Sequence, residues 1–444
     1  MVNTGTVVCG SAELAVDVQA VAASWGLPIA TPVEDDPIGV ATKLARSSEG
    51  AIGIALEAEP PLDELVALGS LDEAAQRMAL LVPRGPAHAI ASDFGVAAVS
   101  EVPALVSLLA LAAAGAPRPY NASMKGLSAL DRARLGVSHP EKRAGHFFRA
   151  ENGLLRIEIQ RPGSTVIGFA WDVAKALEAA RVAVSPKRSS MPVVEGVDHQ
   201  AVLDVILGPR RGLSDPASKA ALEPYDLPLP VEELCGSPSR AAAEAARIGF
   251  PVRIALASPE LRVSDHPDLV VDGVDSAAGV RDVFRQTMTL ARSRSADARL
   301  LGVTVSASTA AKALLGVSVR RFGPSLALAD VAFLDPHGAA ASDRTAMVLP
   351  TTADGIDRAL ARLAGCSLLF GVSTAERRHV VSAIGDVVLR LAVFVHDWPD
   401  EIESVEICPL AVLVGGDVEI REARVQVTDA FTRSLEEPRS ARRG

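Results

Sequence analysis

Aromatic residues make up only 4% of the 444-residue chain, and cysteine occurs four times. With so few rings, alanine and valine must fill the interior, as in close-packed α/β layers. Cys9, Cys235, Cys366 and Cys408 stand far apart, without the Cys-x-x-Cys or Cys/His spacing that holds zinc. No secretory signal pattern precedes the first predicted strand, so reduced thiols in a cytoplasmic protein are expected. Positive charge is also short. The formal net charge of −10 leaves no electrostatic footprint for nucleic acid or an anionic membrane, and the basic tail (Arg439, Arg442, Arg443) is read as a solvated end. No apolar run reaches the ~18–20 residues of a membrane span. The nearest, "VPALVSLLALAAAGA", follows a strand and suits a buried helix. No Gly-x-Ser-x-Gly, Ser-His-Asp arrangement, complete dinucleotide fingerprint or phosphate-loop lysine occurs.

What is present is alternation. The length predicts two to four domains. Residues 1–116 run strand-helix five times, from "TGTVVCG" and "AELAVDVQAVAASWG" to "VAAVSEV" and "PALVSLLALAAAG", with "LDELVALGSLDEAAQRM" as the third helix. Five such units predict a parallel sheet covered on both faces, a flavodoxin-like or receiver-like domain. Its chemistry belongs at the carboxyl ends of the strands. The first strand ends in Cys9-Gly10-Ser11 with no acid pair, the third offers Glu57 and the fifth Ser100, so the Mg²⁺ cluster of a receiver is not there. Gly10 and Ser11 are candidates to cup an anion at a helix N-terminus; a plain tight turn is the alternative.

Residues 117–197 are expected to be an irregular connector. It holds a hairpin around Asn152-Gly153, a helix "DVAKALEAARVAV" and a Pro/Ser-rich linker. His139 and His146 lie there on a loop without a carboxylate frame, which favours solvated side chains over a metal site. From 198 to 430 the pattern is α+β, closing on the hairpin "EICPLAVLVGGDVEIREARV" and followed by a tail, 431–444. "SDPASKAALEPYDLPLP" is a helix with Ser214 or Asp215 as N-cap and Pro216 in its first turn. "STAERRH" opens another with a Ser373/Glu376 capping box. In the last third, His396, Asp397 and Asp400 form an acid-rich turn, read as structural.

The order of elements resembles the ATP-grasp region of NDP-forming acyl-CoA synthetases (acetate–CoA ligase, ADP-forming). The resemblance rests on the helix opened by Pro216, a Tyr-x-[IL]-Pro-x-Pro step (Tyr225, Leu227, Pro228, Pro230), and a helix-to-strand turn at Ala246, Ile248, Gly249, Phe250, Pro251 and Val252. It ends in a hairpin similar to the family's acid-Ile-Asn-Pro-Leu and Asp-Ala-[RK] strands, and it covers roughly 165–428. It implies an ATP-grasp-like α+β fold in two subdomains, ATP or ADP with Mg²⁺ and CoA if the ancestral activity survives, and a divergent member of the family.

The functional positions differ. Where the resemblance implies a phosphate-holding lysine stands Ala255; Arg253 lies two residues earlier, about 7 Å along the strand. The His-Lys-Ser-Asp run corresponds to "LRVSD", residues 261–265, with His266 after it. The glycine-rich phosphate loop corresponds to a stretch that keeps Phe322, Gly323 and Pro324 but has no paired glycines. The Mg²⁺-ligating asparagine and aspartate correspond to Cys408 and Glu422, with Glu406 beside them. Mg²⁺ takes hard oxygen ligands, and a thiol is soft. Phosphoryl transfer depends on positioning and charge compensation, and single contacts of this kind are worth roughly 3 kcal/mol, so impaired ligase chemistry is expected. A ligand-binding or protein-interaction module follows. The alternatives are an active acid–CoA ligase working with a partner subunit, with Arg253, Glu406 and Glu422 on nucleotide and metal, and a homo-oligomeric structural protein. Apart from metal binding, Cys408 is either a thiol site dulled by its acidic neighbours or a small core residue.

Overall fold

The computed structural model describes residues 5–113, 146–151, 154–159, 164–183, 188–207, 213–334, 340–370 and 373–436. His139, the Asn152-Gly153 turn and the basic tail lie outside them. The chain divides into two compact units, Met1–Pro186 and Lys187–Gly444.

The first unit is built on β1 (Gly5–Cys9), β2 (Ile29–Ala30), β3 (Ile52–Ala55), β4 (Met78–Leu81) and β5 (Ala97–Val99). All pairings are parallel and the order is β2-β1-β3-β4-β5. This is the flavodoxin-like doubly wound order, whose switch point lies between β1 and β3. The strand predicted over "LPIATPV" shrinks to two residues because Pro28 and Pro32 cannot donate to a ladder. The helix predicted after β3 is instead two 3₁₀ segments, Leu62–Ser70 and Asp72–Arg77. They break at Asp72, which sits in the left-handed region with φ 45°.

Helices α1 (Ala12–Ser24), α2 (Pro37–Ser47), α3 (Pro86–Asp93) and α4 (Val102–Ala113) complete the alternation. The apolar run of α4 is buried on every side from Ala104 to Leu111. One reason is that the presumed connector packs on it. The antiparallel sheet β6 (His146–Glu151), β7 (Leu154–Ile159) and β8 (Ser164–Phe169) leads into α5 (Ala170–Val182). Leu155, Ile167, Val173, Ala176 and Ala180 join one core with Val7, Leu105 and Leu108. A helix apolar all round needs covering all round. The helix predicted over "DVAKALEAARVAV" therefore packs in the first unit.

The second unit has two sheets. The smaller comprises β9 (Glu232–Cys235), β10 (Val252–Ala257), β11 (Val270–Val274) and β12 (Gly302–Ala307), antiparallel in the order β11-β10-β12-β9. On one face Val252, Ile254, Val303 and Val305 pack on Ala241, Ala245, Val280 and Phe284. These come from α8 (Pro238–Ile248) and α9 (Ala277–Arg294). Side chains alternate along a strand, so Arg253 and Ala255 share the other face, paired with Ser306 and Thr304.

The larger sheet orders β15 (Ala340–Leu349), β14 (Ala327–Leu334), β13 (Ala311–Arg321), β16 (Ile402–Leu413) and β17 (Val418–Ile420), with β18 (Ala423–Val427) also on β16. The predicted closing hairpin is thus one long strand paired with two short ones, turning at Gly415 and Gly416, both at positive φ. Alternate residues of β13, from Ala313 to Val319, enter the core with Val380, Ile384, Val388 and Leu391 of α12 (Thr374–Asp397). Gly385 lets α10 (Ala353–Leu360) close in, since a Cβ there would meet Ile356 Cδ1 at 2.6 Å. By length and composition α12 could cross a membrane, with 24 residues and a window of mean hydropathy 1.6. No uninterrupted run signalled this, because Asp386 and Arg390 divide it, and ten of its residues are buried in the core of this unit. Ahead of the small sheet lie α6 (His199–Leu207) and α7 (Asp215–Leu222), the short α11 (Cys366–Phe370) precedes α12, and α13 (Asp429–Glu436) ends the described chain.

Candidate functional site

The polar residues of the second unit gather along a seam joining α7, β10, the loop after β10, and the β16–β18 strands. At one end, Pro216 starts α7 and Ser214 stands at its N-cap without a side-chain capping bond. Asp215 and Lys219, one helical turn apart, pair at 3.0 Å. Lys219 Nζ also donates to Glu232 Oε2 at 2.9 Å and to the Arg421 carbonyl at 3.0 Å, so its three protons are all used. Burial alone would lower the pKa of this ammonium; Asp215 and Glu232 outweigh it and hold the pKa above the usual lysine value. The other Asp215 oxygen accepts from the Ala423 amide at 2.7 Å and Ser218 Oγ accepts from the Val425 amide at 3.0 Å, which staples α7 to β18.

Arg253 is 8% exposed. Its Nε lies 3.5 Å from Asp272 Oδ2 and makes no hydrogen bond. Arg421 Nη1 is 3.9 Å from the same oxygen, and Arg421 Nη2 donates to the Thr309 carbonyl and to Thr309 Oγ1. Ala255, two residues along from Arg253, is buried and carries no charge. The strand face to which the resemblance gives a phosphate-holding lysine therefore presents a guanidinium already turned toward a carboxylate.

The hairpin residues come together. β16 pairs Ile407 with Ala423 and Leu410 with Ile420, leaving Cys408 and Pro409 opposite Arg421 and Glu422. The Cys408 amide donates to the Glu422 carbonyl at 3.1 Å and the Arg421 amide to the Pro409 carbonyl at 3.0 Å. Glu422 is 4% exposed, and its Oε2 accepts from the Ser264 amide at 2.8 Å. Burial, with Asp215 adding to it, lifts its pKa to about 7, against the pull of Arg262 and of the Ser264 amide. Burial likewise lifts the Cys408 thiol to about 11, helped by Glu422 and Glu406 and opposed by Arg262. Arg262 Nη1 meets Glu406 Oε2 at 2.9 Å, and Arg262 Nε lies 4.0 Å from Asp265 Oδ2.

These donors do not fit Mg²⁺. Cys408 offers sulfur in place of oxygen, Glu422 is buried with its Oε2 on the Ser264 amide, and a guanidinium holds Glu406. Mg²⁺ needs several anionic or carbonyl oxygens in near-octahedral array. Among the described residues no group of three or more His, Cys, Asp and Glu side chains is placed to hold a metal ion.

The remaining candidates are engaged in structure. Ser11 caps α1, accepting from the Leu14 amide at 3.2 Å, and its hydroxyl donates to Glu57. The Gly10 amide donates to the Ala55 carbonyl at 2.9 Å. At the switch point, then, the chain's own carboxylate stands beside the turn. Phe322, Gly323 and Pro324 form a tight connection of β13 to β14, closed by the Phe322 amide donating to the Leu326 carbonyl at 2.7 Å. Asp397 accepts from the Tyr225 hydroxyl at 2.9 Å, and His396 Nδ1 contacts the Ala392 carbonyl at 2.8 Å. Sequence reasoning missed Lys219, Arg262 and Arg421 as the cations of the seam. The Asp215/Lys219 spacing was a legible signal; Arg262 and Arg421 had none short of the strand register.

Residues 205–427 match the model of the ATP-grasp domain. The β subunit of ADP-forming acetate–CoA ligase II from Pyrococcus furiosus is 23% identical over 229 residues, covering 50% of this chain and 94% of that relative. The ADP-forming 4-hydroxybutyrate–CoA ligase of Nitrosopumilus maritimus is 25% identical over 210 residues, 47% of this chain. The chain spans 29% of that second relative's length. Among solved structures, a dinucleotide-forming acetyl-coenzyme A synthetase of Ca. Korarchaeum cryptofilum, in complex with coenzyme A, is similar over 52% of this chain and 99% of its own, at 18% identity and a TM-score of 0.44.

Proposed function

The chain belongs to the ATP-grasp family, and from that premise we propose that it is a relative of ADP-forming acyl-CoA synthetase β subunits with impaired ligase chemistry, working by binding in the cytoplasm. The observation that carries this reading is the hairpin. A thiol at Cys408 and a buried carboxyl at Glu422, already accepting from the Ser264 amide, stand where the resemblance implies two hard oxygen ligands. The uncharged Ala255 of β10 adds to it, because phosphoryl transfer draws nearly all its acceleration from positioned cations and donors. The occupant best supported is a protein partner, since the Pyrococcus furiosus relative is itself one subunit of a ligase. The same observation favours a second reading, in which a partner subunit completes an active ligase.

The test is calorimetry of the full chain with MgATP and with CoA, alongside an assay for ATP formed from acetyl-CoA, ADP and phosphate. No Mg²⁺-dependent heat and no ATP are expected. ATP formed by the purified chain and lost in Glu422→Ala would refute the proposal. ATP formed only on adding an acyl-CoA synthetase α subunit would establish the second reading.

A further inference from the structure

The loop after β10 alternates in a telling way. Leu261 and Val263 are buried, 7% and 6% exposed, in a small core with Ala255, Leu256, Leu269 and Ala291. The residues between and after them, Arg262 and Ser264, point away from that core and reach the hairpin. Arg262 Nη1 meets Glu406 Oε2 at 2.9 Å, and the Ser264 amide meets Glu422 Oε2 at 2.8 Å. Ser258 secures the start of the loop, its Oγ accepting from the Glu260 and Leu261 amides at 3.3 and 3.2 Å. His266 begins the 3₁₀ turn Pro267–Leu269 that secures its end.

Glu406 and Asp265 both lie within 4.0 Å of Arg262, and Glu422 is held two residues further along the loop by the Ser264 amide. Arg262, with its side chain 21% exposed, is the cation facing them. A guanidinium delivers its charge through a planar fork of donors and suits enclosed carboxylates. It supplies what a divalent ion would supply between two strands, with one difference: it is covalently part of the opposite subdomain. Binding it therefore closes the seam.

We propose that residues 261–264 form an internal strap, in which the Arg262 guanidinium on Glu406 and the Ser264 amide on Glu422 take the electrostatic place of a divalent cation and tie the small sheet to the hairpin. The proposal rests on the reading above only in requiring that the native hairpin hold no Mg²⁺. Removing the guanidinium frees the Glu406 carboxylate and loosens the loop whose Ser264 amide holds Glu422, so a metal ion and the loop compete for the same oxygens.

Two measurements on the full chain test it: Mn²⁺ titration by electron paramagnetic resonance, and hydrogen exchange at the Ser264 amide. Arg262→Met keeps the volume of the stem and drops the charge. It should bind Mn²⁺ at least about tenfold more tightly than the native chain, and Arg262→Met/Glu406→Gln should lose that gain. Ser264 exchange should quicken by a similar factor in Arg262→Met. Arg262→Lys, which retains a cation, should stay near native in both, and it carries the exchange comparison if the methionine variant does not fold. A silent native chain with no gain in Arg262→Met overturns the strap alone, as does unchanged Ser264 exchange in that variant or, where lysine carries the comparison, Ser264 exchange far faster than native in Arg262→Lys. Tight Mn²⁺ binding by the native chain, lost in Glu422→Gln, overturns both the strap and the proposed function.

Discussion

Replacing Lys219 with methionine removes the cation at the centre of the seam without changing the volume of the side chain much. The ammonium is 6% exposed and its carboxylate partners Asp215 and Glu232 are 12% and 14% exposed. Taking one member from a buried charge network leaves the others desolvated and unpaired, at a cost of about 3–5 kcal/mol. The Arg421 carbonyl loses a donor as well. For a unit of this size each kcal/mol moves Tm by about 2–4 °C, so a fall of roughly 10 °C is expected. Urea unfolding followed by Trp398, the single tryptophan of the second unit, isolates the effect in a Trp25→Phe/Trp171→Phe background. The midpoint should fall with the slope unchanged, since the surface exposed on unfolding is the same. The triple variant Asp215→Asn/Lys219→Met/Glu232→Gln should recover most of the loss, because neutral partners no longer need the cation. A cost below about 1 kcal/mol for Lys219→Met, or a triple variant no more stable than the single, would show that the network does not hold α7 to the small sheet and the hairpin.

Other consequences follow from the same geometry. The pKa of Glu422 rises from 4.5 to about 7, so between those values the folded chain keeps a proton that the unfolded chain has released. Stability should fall as pH rises through that window, by roughly 3 kcal/mol in all. Glu422→Gln should cancel this, and parallel pH profiles for the two proteins would count against the buried carboxyl. Tyr225→Phe should cost about 1–3 kcal/mol in urea unfolding, because Asp397 loses a donor at 2.9 Å and Trp398 Nε1 an acceptor at 3.0 Å; no loss would mean that neither bond contributes. Cys408→Asn with Glu422→Asp puts back the oxygen ligands that the resemblance implies. Calorimetry should detect no Mg²⁺ binding while Arg262 remains, and binding once Arg262→Met is added; Mg²⁺ bound by the double variant would separate the strap from the metal question.

The layers were legible where a single period decides them. The five β/α units and α4 follow from spacing and turn residues alone. The 3₁₀ break at Asp72 was not, because "LDELVALGSLDEAAQRM" is a good helix by composition and only the backbone at one residue divides it. Nor was the packing of residues 146–182 on the first unit, since apolar faces on β7, β8 and α5 name no partner until α4 is seen to need a second cover. At the site, Cys408, Glu422 and Glu406 were found because the resemblance to the ligase hairpin singles out their positions. Arg262 has no such pointer. It lies roughly 150 residues away, in a loop whose strand-like alternation (buried Leu261 and Val263, outward Arg262 and Ser264) becomes visible only with the core beneath it.

The pattern extends beyond the hairpin. The helix N-termini after β1 and β4, at the end of the sheet where ligands usually enter, are met by carboxylates of the chain itself: Glu57 on Ser11 at α1, and Glu59 Oε1 on the Ala87 amide at α3, at 2.6 Å. Helix N-termini carry partial positive charge and free amides, so a carboxylate tethered by a few residues competes with an incoming anion at a high effective concentration. In the second unit the charges are exchanged, with a tethered guanidinium on carboxylates where a metal would be drawn. In each case the local physics of the fold still creates an attraction, and a side chain of the same chain satisfies it. An incoming anion or cation at these places must first displace a side chain of the same chain. That arrangement is what the proposed binding role expects, and measured nucleotide turnover would count against it.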